Sequence, residues 1–168
     1  MGHRVVPRAQ DGLASGRAVA QLASLARVDE LLTQNGIDYW LFGGWAVDFY
    51  AGAVTRSHDD LDIAVSCDDH ERIAALLFGD GWVHAPEPDE QGGTGYERDG
   101  VRLELTFVEQ VPWPADASGT DRGELQGVGA RLISVAALRR GKSAPRDEPG
   151  DAAKDRADAA TLARVGET

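Results

Sequence analysis

The most restrictive feature of the sequence is the dipeptide Asp99-Gly100, which separates two runs of alternating apolar and polar residues. An Asp-Gly pair between two such runs is a strong signal for a two-residue β-hairpin, because the favoured turn needs positive φ at both central positions. The sequence therefore predicts antiparallel strands at Thr94–Arg98 and Val101–Val108. Any fold of this chain must therefore contain a sheet that includes this hairpin.

Helical and extended patterns alternate around the hairpin. Apolar residues recur at helical spacing from Ala18 to Leu32, and Tyr39–Phe42 and Leu61–Val65 have the composition of short buried strands. Further helices are predicted at Trp45–Ala51, from a cap at Asp68-Asp69 to Phe78, from a cap at Ser134 to Arg140, and at Asp151–Arg164; further strands are predicted at Trp82–Pro86 and Arg131–Ile133. This order predicts an α/β (α+β) fold with a mixed sheet of about five or six strands flanked by helices.

Length and charge limit the organisation and the partners of the chain. Its 168 residues fit a disordered leader over residues 1–16 and a single domain over residues 17–168. No apolar run reaches the length of a membrane span and the first residues lack a signal peptide, so we predict a cytoplasmic protein without a membrane partner. The single cysteine, Cys67, agrees with a reducing compartment. The net charge of −11 disfavours nucleic-acid partners and favours small cationic ones.

Two aspartates at the predicted second strand carry the main chemical signal. Residues two apart on a strand point to the same side, so Asp60 and Asp62 present two carboxylates together. Mg²⁺ prefers one or two carboxylates together with waters and substrate phosphates, which makes the pair a candidate metal site. Two solvated aspartates at a strand edge are the alternative interpretation.

Residues before the aspartates fit a phosphate site. Gly43-Gly44 follows a strand and precedes a helix, so its backbone N–H groups could receive phosphates, although a tight turn alone also explains it. Thr55 and Arg56 offer a hydroxyl and a guanidinium for a triphosphate, while an ion pair with Asp59 is the alternative for the arginine. The conjunction of these residues with the aspartate pair favours the functional interpretation.

The segments Gly-Gly-Trp-Ala-Val-Asp at 43–48 and Thr-Arg-Ser-His-Asp-Asp-Leu-Asp at 55–62 resemble a family signature. They resemble the DNA polymerase beta-like (minimal) nucleotidyltransferase superfamily, and most of all its aminoglycoside 2''-adenylyltransferase and lincosamide nucleotidyltransferase group. The resemblance covers residues 38–66 and extends more weakly to the hairpin strand and the last helix. It implies the nucleotidyltransferase fold.

The resemblance also implies a third carboxylate and a phosphate-binding lysine. Glu104 matches the carboxylate position on a neighbouring strand, where simple surface alternation is the alternative, and Lys154 lies in a Lys-Asp-x-x-Asp segment. The expected catalytic and metal-binding residues are Asp60, Asp62 and Glu104, and the expected nucleotide-binding residues are Gly43, Gly44, Thr55, Arg56 and Lys154.

The resemblance implies Mg²⁺-dependent transfer of a nucleoside monophosphate from ATP or another nucleoside triphosphate to a hydroxyl, with release of pyrophosphate. Two Mg²⁺ ions, with Mn²⁺ as a substitute, and a homodimer are expected. The acidic loop Glu87–Glu90 and Glu97 would suit an aminoglycoside, and Trp82 or Trp113 a lincosamide. An antitoxin-like minimal nucleotidyltransferase that acts on a partner protein and a non-catalytic nucleotide-binding protein are the alternatives.

Overall fold

The computed structural model describes residues 9–144 and 149–165. Within these ranges the α-helices are α1 (Ala9–Gln34), α2 (Gly43–Ala51), α3 (His70–Gly79), α4 (Val135–Ser143) and α5 (Pro149–Arg164). The strands are β1 (Tyr39–Phe42), β2 (Leu61–Val65), β3 (Val83–His84), β4 (Gly93–Arg98), β5 (Val101–Phe107), β6 (Arg122–Leu125) and β7 (Val128–Arg131). None of these helices is both long and apolar enough to cross a membrane.

The main sheet is mixed, as predicted, with the strand order β1-β2-β5-β4-β3. Strands β2 and β5 run parallel, and the other neighbours in this sheet run antiparallel. The parallel register sets Asp62 directly beside Glu104. Adjacent parallel strands therefore bring together carboxylates that lie far apart in the sequence, on the same face of the sheet.

Strand β5 shows the alternation that the sequence predicts. Val101, Leu103, Leu105 and Phe107 are buried, and the residues between them are only partly buried. The predicted turn at Asp99-Gly100 is confirmed, with φ of 50° and 80°. The apolar face of this hairpin joins the core, so its polar face is free to carry chemistry.

Helix α1 covers the sheet through Leu22, Leu25, Val28 and Leu32, which are all buried. It begins at Ala9 rather than at the predicted Ala18, so residues 9–16, which the sequence assigns to the leader, are helical. Residues 1–8 of the predicted leader lie outside the described residues. Val19 continues the apolar periodicity but is 60% exposed.

A second hairpin, formed by β6 and β7, was not predicted. Its turn residues Gln126 and Gly127 have φ of 50° and 80°, and glutamine is a weak signal for this turn because it rarely adopts positive φ. The strand predicted at Arg131–Ile133 does not form with those bounds. Arg131 ends β7, and only an isolated bridge joins Leu132 to Leu41.

The predicted helix caps have different outcomes. Ser134 caps α4 as predicted, since its side chain accepts a hydrogen bond from the Ala137 amide. Asp69 is the N-cap residue of α3, as predicted, but its side chain makes no capping hydrogen bond, and Ser66 instead accepts from the Asp68 amide and begins a 3₁₀ turn at Cys67–Asp69. The serine hydroxyl reaches the first free amide at this corner, so the aspartates do not have to.

Candidate active site

Three carboxyl groups from β2 and β5 line a cavity of about 780 Å³. Asp60 immediately precedes β2, Asp62 is its second residue, and Glu104 lies opposite Asp62 on β5. The side chains of Asp60 and Asp62 are hydrogen-bonded to each other. The structure thus brings the three sequence-predicted carboxylates to one cavity wall.

Burial and mutual repulsion shift the protonation of the aspartates. The pKa of Asp62 is raised well above its usual range, first by burial and then by the nearby charge of Asp60. Burial also raises the pKa of Asp60, while its hydrogen bond with Asp62 works in the opposite direction. Two carboxyl groups in contact cannot both ionise at low cost, so the pair favours a state that keeps one proton.

The environment of Glu104 is different. Its carboxylate accepts a hydrogen bond of 2.5 Å from Nε of Arg102, two residues earlier on the same strand. Burial and a hydrogen bond with Glu90 nevertheless raise the pKa of Glu104 to about 7. A carboxyl group with this pKa can exchange a proton near neutral pH.

The donor chemistry of Asp60 and Asp62 fits a divalent cation. Two hard oxygen ligands that face a cavity and share a proton have a negative charge that a cation would satisfy, and Mg²⁺ accepts such a partial ligand set. Across residues 9–144 and 149–165, however, no group of three or more His, Cys, Asp or Glu side chains has the arrangement of a metal site. The Glu104 carboxylate is hydrogen-bonded to Arg102.

The glycine pair lies against the catalytic face of the sheet. Gly43 has φ of 70°, and a Cβ there would lie 2.6 Å from Oδ2 of Asp62. A Cβ at Gly44 would lie 2.4 Å from Nη2 of Arg56. Both residues begin α2 and line the cavity, so a larger side chain would enter the space between the aspartates and the arginine.

Three basic residues that line the cavity form ion pairs with three aspartates, and we call these six residues the helix cluster. Its members are Arg56, Lys142 and Lys154 with Asp59, Asp155 and Asp158. The Arg56 guanidinium binds both carboxylate oxygens of Asp158, at 3.0 and 2.9 Å. Lys142 also binds Asp158, at 2.9 Å, and Lys154 binds Asp59 at 2.9 Å. All three cations line the cavity.

Lys142 also lines the cavity, although the expected set of nucleotide-binding residues contains Lys154 as its only lysine. The Lys142 side chain is 13% exposed and lies close enough to lower the pKa of Asp62. Lys142 lies in the last turn of α4, which packs against α5 and continues to Ser143, beyond the predicted end at Arg140.

The structure does not bring Thr55 to the cavity. The Thr55 hydroxyl donates to Asp48 at 2.5 Å, and its side chain is not part of the cavity wall. Asp48 also binds the buried ring of His58 at 2.5 Å, as expected for two residues that brace the loop. The hydroxyl of Thr55 is used to fix this loop, so the prediction that it lines the triphosphate site does not fit its contacts.

Four glutamates surround Arg102 on the β4–β5 side, and we call these five residues the hairpin cluster. Arg102 contacts Glu87, Glu97 and Glu104 directly, at distances of 3.3, 3.3 and 2.5 Å. Glu90 joins the cluster through its hydrogen bond with Glu104. The predicted acidic loop therefore adjoins the carboxylate that faces the cavity.

The two candidate tryptophans differ in position. Trp113 lines the cavity and packs its ring edge-on against Phe42 at 5.8 Å. Trp82 is only 2% exposed and belongs to the core, so the expectation that it contacts an acceptor is wrong. A tryptophan next to a short strand has the same sequence pattern whether it lies in the core or on a cavity wall. Only the packing of the folded chain decides between these two positions.

Comparison with known proteins agrees with this geometry. A family model described as aminoglycoside-2''-adenylyltransferase matches residues 24–89. A 2''-aminoglycoside nucleotidyltransferase from Escherichia coli is 36% identical over 53 residues, which are 32% of this chain and 28% of that protein. The aligned part is thus well under half of that relative.

Solved structures share the fold over a longer stretch. The crystal structure of ANT(2'')-Ia with adenylyl-2''-tobramycin has a TM-score of 0.63 at 20% identity, and the match covers 88% of this chain and 98% of that one. The lincosamide antibiotic adenylyltransferase LnuA, bound to lincomycin, has a TM-score of 0.62 at 18% identity, with coverage of 81% and 92%. These likenesses define a nucleotidyltransferase fold. The segment that the family model matches includes the glycine pair and the aspartates.

Proposed function

We propose that this chain transfers a nucleoside monophosphate from a nucleoside triphosphate, with ATP as the first candidate, to a hydroxyl of a small cationic antibiotic, with release of pyrophosphate. The observation that carries the proposal is the position of Asp60 and Asp62 on a cavity that the glycine pair and three basic side chains also line. The family match covers these aspartates and glycines. In-line attack of the acceptor hydroxyl on the α-phosphorus is the chemistry that this arrangement supports.

The triphosphate would lie between the glycine pair and the helix cluster. Backbone N–H groups at the start of α2 would donate to phosphate oxygens, and Arg56 and Lys154 would contribute positive charge. Lys142 joins them as a third cation on the same wall. Thr55 would act indirectly, because its bond to Asp48 fixes the loop that carries Arg56.

Asp60 and Asp62 would hold Mg²⁺, which when bound supplies charge neutralisation for the triphosphate. The number of ions, and the use of Mn²⁺ as a substitute, stay predictions. Glu104 would accept the proton of the acceptor hydroxyl, a role that its pKa of about 7 suits near neutral pH. A basic carboxylate beside the aspartates is what in-line transfer to a hydroxyl requires.

An aminoglycoside is the acceptor class that the charges favour. The hairpin cluster has four carboxyl groups for one guanidinium, so its field attracts the amines of a polycation. The relative from Escherichia coli is itself a 2''-aminoglycoside nucleotidyltransferase. A lincosamide is the second candidate, because Trp113 offers an aromatic surface on the cavity wall.

The test is a pyrophosphate-release assay with Mg²⁺, each of the four nucleoside triphosphates, and panels of aminoglycosides and lincosamides. Asp60→Asn and Asp62→Asn remove the charges that would hold the metal while keeping side-chain size. Asp99→Asn is the matched control, since Asp99 lies in the exposed hairpin turn, where asparagine is equally at home.

We expect antibiotic-dependent release in the wild type and in Asp99→Asn, and its loss in the two site variants. Equal release in all four proteins would refute the assignment of the aspartates. If a triphosphate binds with Mg²⁺ but no antibiotic supports release, the acceptor assignment fails and a protein acceptor takes its place.

The cellular location and the assembly stay predictions. A cytoplasmic protein is expected from the sequence, and the homodimer is expected from the family resemblance. Size-exclusion chromatography with light scattering measures the mass directly, and a value near 17.9 kDa at micromolar concentration would contradict the dimer.

A further inference from the structure

Arg102 is the one basic residue of the hairpin cluster, and it lies next to the carboxylate that faces the cavity. Its Nε donates to Glu104, its Nη1 donates to the carbonyl of Ala85 at 2.9 Å and to Glu97, and its Nη2 lies 3.3 Å from Glu87. The side chain is 17% exposed. Nε and Nη1 are therefore hydrogen-bonded, whereas the buried Nη2 has the ion pair with Glu87 but no hydrogen-bond partner within the described residues.

The neighbouring strand leaves space for this guanidinium. Gly95 on β4 lies opposite Glu104, and a Cβ there would be 2.3 Å from Nη2 of Arg102 and 2.9 Å from the Ala85 carbonyl oxygen. Any other residue at position 95 would push against the arginine. The position of Arg102 therefore depends on a glycine, a carbonyl and three glutamates from three segments of the chain.

This arrangement ties the Glu104 carboxylate to Arg102. Glu104 is the register partner of Asp62, so the two carboxylates are within side-chain reach across adjacent strands. Yet the three carboxyl groups do not form a metal-site arrangement within the described residues. The side-chain hydrogen bonds of Glu104 are with Arg102 and Glu90, both on the hairpin side.

We propose that Arg102 is a positioning residue that restrains Glu104, and that a cationic acceptor competes with its guanidinium for the glutamates of the hairpin cluster and so releases Glu104 toward Asp62. The acceptor part of this inference rests on the proposed function. Arg102 stands where the ammonium groups of a polycation would bind, and the active arrangement forms only when the acceptor is present. Such coupling would keep Glu104 from assisting attack by water.

The restraint can be tested without any acceptor. Mn²⁺ binding is measured by electron paramagnetic resonance in the presence of a non-hydrolysable ATP analogue, for the wild type, Arg102→Gln, Glu104→Gln and the double variant. In Arg102→Gln we expect the Mn²⁺ affinity to rise about tenfold, because the released state of Glu104 is no longer a minor population. This gain should vanish in the double variant, since it depends on the Glu104 carboxylate.

The double variant separates positioning from simple charge removal. Loss of a positive charge near a metal site raises the metal affinity whether or not Glu104 moves. A gain that persists in the double variant, or no gain in Arg102→Gln, would overturn the restraint. Arg98→Gln is the matched control, because Arg98 lies on the same hairpin but pairs with Asp80, and we expect it to bind Mn²⁺ like the wild type.

The competition is tested by calorimetric titration with tobramycin as the probe. Arg102→Gln should bind it about tenfold more tightly, while Arg98→Gln and the charge-retaining Arg102→Lys should stay near the wild-type affinity. Unchanged or weaker binding by Arg102→Gln would overturn the competition. If no variant binds tobramycin and the Mn²⁺ result is obtained, the proposed acceptor class is refuted and the restraint on Glu104 stands.

Discussion

The helix cluster and the hairpin cluster adjoin the same cavity and balance their charges in opposite ways. In the helix cluster, three cations contact three aspartates, and the contacts join α4 and α5 to the loop before β2. In the hairpin cluster, four carboxyl groups share the single guanidinium of Arg102. The first cluster is neutral and its ion pairs hold separate elements together, whereas the second keeps an excess of acid that only an added cation can satisfy.

This difference bears on the proposed function, in which two substrates of opposite charge share one cavity. Cations whose partners already fix their geometry can contact a triphosphate with little reorganisation. Carboxylates in excess attract a polycation and disfavour a second anion. The comparison predicts that substitutions in one cluster leave the ligand of the other largely unaffected.

The largest effect is expected for Asp158→Ala in the helix cluster. Its side chain is 2% exposed and holds both Arg56 and Lys142, so its removal leaves two cations without their buried partner. We expect the free energy of unfolding to fall by about 3 kcal/mol, as measured by urea denaturation. Asp69→Ala, which removes a surface pair with Arg72, should cost less than about 1 kcal/mol. Similar losses of unfolding free energy in Asp158→Ala and Asp69→Ala would show that Asp158 does not hold α4, α5 and the loop before β2 together.

The next effect concerns the glycine beside Arg56. Gly44→Ala would place a Cβ 2.4 Å from Nη2 of Arg56 and 2.5 Å from Nδ1 of the buried His58. We expect triphosphate binding to weaken by about thirtyfold, or about 2 kcal/mol, as overpacking displaces the guanidinium. Fluorescence titration with a labelled ATP analogue measures this change, and tobramycin affinity should stay the same.

Gly79→Ala is the matched control for that variant. A Cβ at this helical position has open space within 4 Å, so the substitution should leave nucleotide binding unchanged and stabilise the fold slightly. Equal nucleotide affinities for Gly44→Ala and Gly79→Ala would show that the glycine pair is not part of the triphosphate site.

The corresponding change in the hairpin cluster is Gly95→Ala. Its Cβ would meet the end of Arg102, which is flexible, and the backbone oxygen of Ala85, which is not. We expect a loss of about 1 kcal/mol in the free energy of unfolding together with altered tobramycin affinity and, in metal-free buffer, unchanged nucleotide affinity. Gly129→Ala on β7, where the nearest atom would be at 3.5 Å, controls for glycine replacement in a strand. A change in nucleotide affinity instead would break the separation of the two clusters.

The smallest effect is the pH dependence that Glu104 adds to stability. Its pKa is raised to about 7 in the folded protein by burial and Glu90, so the folded state binds more protons than the unfolded state between the two pKa values. The contribution of Glu104 to stability is therefore fully present below its unfolded pKa and is lost as the pH rises through 7. In buffer with a metal chelator, the free energy of unfolding of Glu104→Gln should fall less steeply from pH 5 to pH 7.5 than that of the wild type. Parallel curves for variant and wild type would contradict the assignment.

Much of the fold follows from local sequence patterns. The strands β1 and β2 have the predicted bounds, and the Asp99-Gly100 turn forms the predicted hairpin, because burial alternation and turn preferences act over a few residues. The hairpin at Gln126-Gly127 was missed because its turn residues are weak signals and tertiary packing stabilises it. The buried state of Trp82 was missed for a similar reason, since an aromatic residue near a strand end is compatible with core and cavity alike.

The candidate site divides in the same way. The sequence alone determined that Asp60 and Asp62 face one side, that the glycine pair begins a helix beside them, and that Glu104 lies on the polar face of its strand. Only the tertiary structure decided which charges neutralise each other, because the partners are distant in sequence: Arg56 and Asp158 are 102 residues apart, and Asp59 and Lys154 are 95 apart. The same holds for Thr55, which binds Asp48 instead of facing the cavity, and for Glu104, whose orientation depends on Arg102. Spacing along a chain fixes the direction of a side chain within its element, whereas its electrostatic partner depends on how the elements pack.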